Sequence, residues 1–394
     1  MRKKTKAMLG LTLAGVMLAT CACGSSGKSE APQTTAAAET TAAAESTEAA
    51  AESTEAPAED KGQSLDELCK TESGPLIVGT YGGRYDEALQ AAVVEKFQEK
   101  YGVEVIFEPG YNAAKLVAET GSPSVDLAMQ DDITLYQGVE DSMEKIDASL
   151  LSHADELYDG AIDKSGYGVY LLWGRYGICY RTDMVDTPPT SWKDLWDEKY
   201  IGKITMSKVD ASNGIQMLEM ASLLNGGDSN NVEPGWEAIG ELASHCPAVA
   251  ASTANLTDML TTGQVVISPW WDGRTYALAA EGVPVDFVVP EEGAYATITE
   301  FVIPKGTENY YLAHAFIDMC IEAEAQATLA SIIKYGPVNK NTVLDDETAK
   351  VVLNGPDAVA QLIFCDWEVL APQRAAFTDY FDRNIAPVIG SKVN

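Results

Sequence analysis

Between residues 75 and 132, apolar runs alternate with amphipathic ones, and that alternation leaves few folds open. "PLIVGTY" (75–81) runs into Gly82-Gly83-Arg84. In the "YDEALQAAVVEKFQEKYG" that follows, Tyr85, Leu89, Val93 and Phe97 recur every four residues. Asp86 and Glu87 fill its first turn and Gly102 closes it, which predicts a helix. "VEVIFE" reads as a strand, "AAKLVAET" as a helix and "SVDLAMQDD" as a further strand. Strand–helix repetition of this kind predicts a parallel sheet with crossovers. Ligands of such sheets sit at the carboxyl ends of the strands. Here those ends carry Tyr81-Gly82-Gly83, Gly110-Tyr111-Asn112 and Gln130-Asp131-Asp132.

"GVYLLWGRYGICYRTDMV" (168–185) is a long extended segment that leads into a second alternating run. Helices are expected in "ASNGIQMLEMASLLNGG", "GWEAIGELASH" and "YALAAEG", with strands in "QVVISPWW" and "VDFVVP". "TITEFVIP" (297–304) is extended again, and "YYLAHAFIDMCIEAEAQATLASII" reads as one helix. The order predicts an α/β protein of two lobes joined by extended hinge crossings near 176–182 and 297–303. The first lobe would take 75–178 plus about 302–345, the second 179–301 plus about 346–394. The ligand cleft would lie between them, and closure about the hinge would be the working motion.

The N-terminal stretch is not part of that fold. Arg2, Lys3, Lys4 and Lys6 precede "LGLTLAGVMLA", a run too short for the ~20 residues of a membrane span but suited to a signal peptide. "TCACGSS" follows and resembles a lipobox. Ala22-Cys23 fits it better than Thr20-Cys21, so residues 1–22 read as a lipoprotein signal and Cys23 as the lipidated residue. From Gly24 to about Gln63 the chain is an Ala/Glu/Thr-rich tract with no aromatic residue. Such a tract buries too little to offset its ordering entropy, and residues 23–74 are expected to form an acidic, disordered tether.

Charge and motifs exclude several functions. The net charge of −32 and the scattered Lys and Arg argue against nucleic acid. Once Cys21 and Cys23 are set aside, Cys69, Cys179, Cys246, Cys320 and Cys365 are too widely spaced for a disulfide framework. Cys179 and Cys320 sit in apolar surroundings. His153, His245 and His314 are far apart, so no metal or cofactor is expected. No nucleophile elbow, phosphate loop or HExxH motif occurs, so an enzyme, such as a secreted hydrolase, is the weaker class.

"ISPWWDGRTY" (267–276) ends an apolar run on Trp270, Trp271, Asp272 and Arg274, either as a turn between core elements or as the wall of a ligand site. Together with "EKFQEKYGVEV", "LLWGRYGICYRTDMV", "SWKDLWDEKYIGKI", "FVIPKGTEN" and "YGPVNKN", it resembles, in order and spacing, the bacterial solute-binding proteins of ABC importers. The nearest likeness is to the spermidine/putrescine-binding family. The resemblance implies a periplasmic-binding-protein-like fold and a small-amine ligand. It also implies an ABC permease and ATPase as partners, a location at the cell surface or in the periplasm, and a monomer. It places Trp271 on the ligand, where an indole beside an acid suits an alkylammonium.

The family's Asp-Ala-x-Glu falls on Asp210-Ala211-Ser212-Asn213, so the second acid has become Asn213. Its Trp-x-Asp falls on Thr297-Ile298-Thr299, which leaves Thr299 in place of an acid. Asp131 and Asp132 stand where the family has hydroxyl residues. Arg175, next to Trp173 in "WGRYG", and Arg274 offer forks for an acid group. These residues, with Tyr81, Asp272 and Trp367, form the expected ligand set. A set containing both signs would also suit a zwitterionic or anionic ligand, such as an amino acid, an opine or an aminophosphonate, and either arginine could instead serve a salt bridge. Tyr310-Tyr311 reads as packing.

Overall fold

The computed structural model describes residues 62–393; the signal segment, Cys23 and the tether up to residue 61 lie outside the described residues. The strands are β1 (Leu76–Thr80), β2 (Val105–Pro109), β3 (Leu127–Asp131), β4 (Met143–Glu144), β5 (Gly168–Arg181), β6 (Ile267–Trp271), β7 (Val285–Val288), β8 (Ala294–Pro304), β9 (Gly336–Pro337) and β10 (Leu362–Ile363). Their main path runs β2-β1-β3-β8-β5-β6. β1 lies parallel to β2 and β3, as the alternation predicts, with helix Arg84–Leu89 continuing to Tyr101 and helix Ala113–Ala118 as the crossovers. Asn112 caps the latter by accepting from the amides of Ala114 and Lys115.

The long segments β5 and β8 pair antiparallel from Gly168↔Val302 to Tyr176↔Tyr295 and form the spine of a two-lobe, periplasmic-binding-protein-like fold. Side chains of Val169, Leu171, Leu172 and Trp173 enter one core, with Ala296, Ile298, Phe301 and Ile303 from β8. Tyr176, Ile178 and Tyr180 enter another, with Tyr295. The strands therefore change lobe at Gly174–Arg175 and at Tyr295–Ala296. Gly174 is required there, because a Cβ would stand 2.6 Å from the Tyr335 ring and 2.8 Å from the Asp272 carboxylate.

Two expectations need correction. The tether does not reach residue 74. Leu65–Leu68 is helical, Leu68 and Cys69 are buried, and the Glu72 carboxylate accepts from the amides of Tyr311 (2.9 Å) and Leu312 (2.8 Å). An acid on the exposed N–H groups of a helix's first turn is favourable, and that docking ties 64–72 to the lobe. The helix expected over 310–333 is two, Tyr310–Cys320 and Ala323–Ile333, because Glu322 adopts an extended conformation between them. Helix Thr253–Thr261 was not read from the sequence.

Candidate functional site

The carboxyl ends of β1 and β3 meet at Tyr81 and Asp131. Gly82 and Gly83, both with positive φ, let the chain leave β1 in a tight turn, so that Tyr81 stands at the strand end, 38% exposed. Its hydroxyl donates to Asp131 Oδ1 (2.7 Å), and its ring meets Tyr85 edge-on with centroids 5.2 Å apart. The Tyr85 hydroxyl in turn bonds buried Thr299 (3.0 Å). Asp131 Oδ2 accepts no hydrogen bond among the described residues. Enclosure by protein raises the Asp131 carboxyl above its ordinary value, while Tyr81 and the Arg374 guanidinium pull it down. Cleft water reaches this side chain, which limits the effect of enclosure.

Tyr81, Asn112 and Asp131 face Ala211, Ser212 and Arg374 of the other lobe across a hollow of about 400 Å³. Ala211 also borders a second hollow of about 510 Å³, walled by Trp270, Trp271, Asp210, Asn213, Lys208 and Asp382. The two adjoin at the start of helix Ser212–Leu224. Arg374 spans the cleft, donating from Nε to the Asp210 carbonyl (2.6 Å) and from a terminal nitrogen to Gln137 (3.3 Å). Lys208 lies 2.8 Å from Asp382 and 3.7 Å from Asp210. Arg274 is exposed and makes no hydrogen bond or ion pair among the described residues, and its field reaches Tyr85 and Tyr335.

The expected set is thus divided. Tyr81 and Asp131 meet in one hollow, and Asp210, Asn213 and Trp271 in the next. Trp271 is half-buried and touches three hydrophobic clusters, whereas Trp270 is 1% exposed and is core. Asn213 is buried and donates to Ser207 (2.6 Å). Thr299 lies behind Tyr85.

Trp173, Arg175 and Asp272, expected on the ligand, are engaged elsewhere. Trp173 is fully buried and its indole N–H donates to the Pro337 carbonyl (3.0 Å). Asp272 is 0% exposed and bound to Arg175, whose guanidinium also donates to the Val351 carbonyl (2.8 Å). Asp132 and Trp367 do come together, with the indole N–H 2.6 Å from the carboxylate, but in a different cavity.

Arg374, Ser212 and Lys208 were not foreseen. Arg374 lies in a C-terminal helix with no motif around it. Ser212 and Lys208 flank Asp210 and carry no signal of their own.

A sheet of this topology, with acids and aromatics where two lobes face each other, suits capture of a small solute. Residues 92–355 match the profile of the family described as bacterial extracellular solute-binding protein. The chain belongs to that family. It is the extracellular solute-binding component of an ABC importer, as the relatives bear out. The spermidine/putrescine-binding periplasmic protein of Escherichia coli is 24% identical over 291 residues, 71% of this chain and 83% of that protein. The gamma-aminobutyric acid-binding protein of Pseudomonas aeruginosa is 25% identical over 297 residues, 72% of this chain and 82% of that one. The crystal structure of an ABC transporter protein from Clostridium perfringens superposes with a TM-score of 0.68 at 25% identity, covering 79% of this chain and 99% of that one. Among the described residues no helix is long and apolar enough to cross a membrane.

Proposed function

We propose that the protein captures a small ammonium-bearing solute of the polyamine class in the cleft between its lobes and delivers it to a permease. The observation that carries this reading is the Tyr81–Asp131 pair. One carboxylate oxygen is fixed by the tyrosine and the other is left open to the cleft, at the strand ends where such sheets bind ligands. Asp210 supplies a second acid, and the Trp271 indole supplies an apolar face for methylenes and a π face for a cation. Relatives named for spermidine and putrescine binding support the ligand class.

A second reading, an amino-acid-like zwitterion, is favoured by Arg374 in the same hollow as Asp131 and by Arg274, which is exposed and unpaired among the described residues. A relative named for gamma-aminobutyric acid binding is consistent with it. Calorimetric and thermal-shift titrations with putrescine, spermidine, 4-aminobutyrate and uncharged 1,4-butanediol separate these readings. A ligand bound only by the folded state raises Tm. Amines should do so and butanediol should not; if no amine binds, the proposal fails.

The anchor belongs to the same proposal. Cys23 carries lipid, the acidic tract that follows holds the binding domain off the membrane, and the protein acts there as a monomer. Cys23→Ala should release it from membranes; release by Cys21→Ala alone would move the anchor to Cys21.

A further inference from the structure

A third cavity, of about 310 Å³, lies at the hinge, apart from the two adjoining cleft hollows. β3 ends at Asp131, whose side chain lines the cleft hollow, while Asp132 opens the short helical turn Asp132–Tyr136 and lines this other cavity. The loop 159–164, the segment 364–368 and the spine residues Tyr170 and Ile298 complete the wall. Its charge is one-sided: Asp132, Asp159, Asp163, Asp366 and Glu368 line it, against Lys164 alone. Lys164 is already paired with Glu368 at 2.5 Å. Tyr136, Tyr170, Trp367 and Phe364 supply aromatic walls, and Phe364 is 54% exposed at the mouth.

Acidic lining alone would be a solvated surface, but Glu300 sets this cavity apart. Glu300 is 0% exposed, and neither carboxylate oxygen has a hydrogen-bond partner among the described residues. It stands behind the cavity lining: two residues from Ile298, it shares that residue's face of β8, is the cross-strand partner of Tyr170, and lies within the fields of Asp132 and Asp163. A buried carboxyl with no partner is costly, and more so beside two further acids. Asp163 is satisfied by the Tyr136 hydroxyl (2.9 Å) and the Ser165 amide (2.7 Å), and Asp132 by the Trp367 indole. Of these three acids only Glu300 lacks a partner among the described residues; Gln130, opposite it on β3, is uncharged and its amide nitrogen is also unpaired, and the charges acting on Glu300 are all acidic.

We propose that this hinge cavity is a second binding site, for a small organic ammonium, with Glu300, Asp132 and Asp163 as its counter-charges and Tyr136, Tyr170 and Trp367 as its walls. A cation there would supply the partner Glu300 lacks. Because the cavity is walled by residues of the first lobe together with the segment 364–368 packed on the second, an occupant would also bear on how the lobes sit. The proposal does not depend on which solute fills the cleft.

Equilibrium dialysis of radiolabelled putrescine against the folded binding domain tests it. The cleft variant Asp131→Asn should retain one bound equivalent, and adding Glu300→Gln should weaken that residual binding at least tenfold. Because Glu300 is buried, a second variant guards against simple misfolding. Asp366→Lys reverses a charge at the exposed rim, where the side chain makes no capping bond, and should weaken the residual binding by a similar factor with Tm unchanged. Residual binding that is absent in Asp131→Asn, or indifferent to both Glu300→Gln and Asp366→Lys, overturns the proposal.

Discussion

Arg175 and Asp272 hold each other at the point where the chain changes lobe: the Arg175 side chain donates to Asp272 Oδ2 at 2.8 Å and its backbone amide to Oδ1 at 3.1 Å. Asp272 also accepts from the amide of Gly273 (2.7 Å), so the carboxylate pins the turn that follows Trp271. Burial pushes this carboxyl above its ordinary range and Arg175 opposes that. Removing one partner of a buried pair leaves an uncompensated charge, which costs about 3 kcal/mol or more. Arg175→Met should therefore lower stability by that order in denaturant unfolding, with ligand affinity in the surviving folded protein changed little. A stable variant with lost binding would return Arg175 to the ligand.

The neighbours Trp270 and Trp271 should behave differently. Trp270 is core, and Trp270→Ala should cost about 3–5 kcal/mol of stability. Trp271→Ala should weaken ligand binding at least ~30-fold, the loss that goes with a ~2 kcal/mol anchor, while the fold survives. Paired unfolding and calorimetry experiments check both; equal effects of the two variants would make the pair one packing unit.

Asp132 gives a pH signature. Burial, reinforced by Asp131 and Asp163, pushes its carboxyl up to about 7 against the pull of the Trp367 indole and the Ile133 amide; Glu300 faces it from β8. The folded state thus holds this proton more tightly than the unfolded chain, where an aspartate titrates at ~3.9. The contribution is complete below that value and is lost as pH rises toward 7. Asp132→Asn cannot titrate, so its stability relative to wild type should climb between pH 4 and 7. Thermal unfolding across that range measures it, and a constant difference would contradict the assignment.

Ligand closure should be visible in solution. If the lobes rotate about Gly174–Arg175 and Tyr295–Ala296, saturating ligand should shrink the radius of gyration in small-angle scattering. An unchanged radius with proven binding would indicate a rigid site.

Much of this was legible because it is local. The spacing of Tyr85, Leu89, Val93 and Phe97, and the apolar runs ending at Tyr81 and Asp131, specify the parallel unit and its strand ends without reference to the rest of the chain. The pairings were not legible, because each joins residues remote in sequence. Arg175 finds Asp272 97 residues away, Trp367 finds Asp132 235 away, and Arg374 reaches Gln137 237 away. An arginine that closes a core pair and one that faces a ligand look alike in sequence; Arg175 is the first kind, and Arg274 is exposed without a partner among the described residues. The docking of Glu72 on Tyr311 was hidden for the same reason, since "LDELCKT" shows only weak periodicity and its partner helix begins at Tyr310.

The central claim is that Asp131 holds the ligand's ammonium. Titration calorimetry of wild type and Asp131→Asn with putrescine tests it most directly. Truncating one side of a hydrogen-bonded charge pair costs ~2 kcal/mol or more, so the affinity at the stronger site should fall at least ~30-fold, with Tm of the unliganded protein nearly unchanged because Tyr81 can still donate to the amide oxygen. Putrescine binding by Asp131→Asn with wild-type affinity would contradict the account.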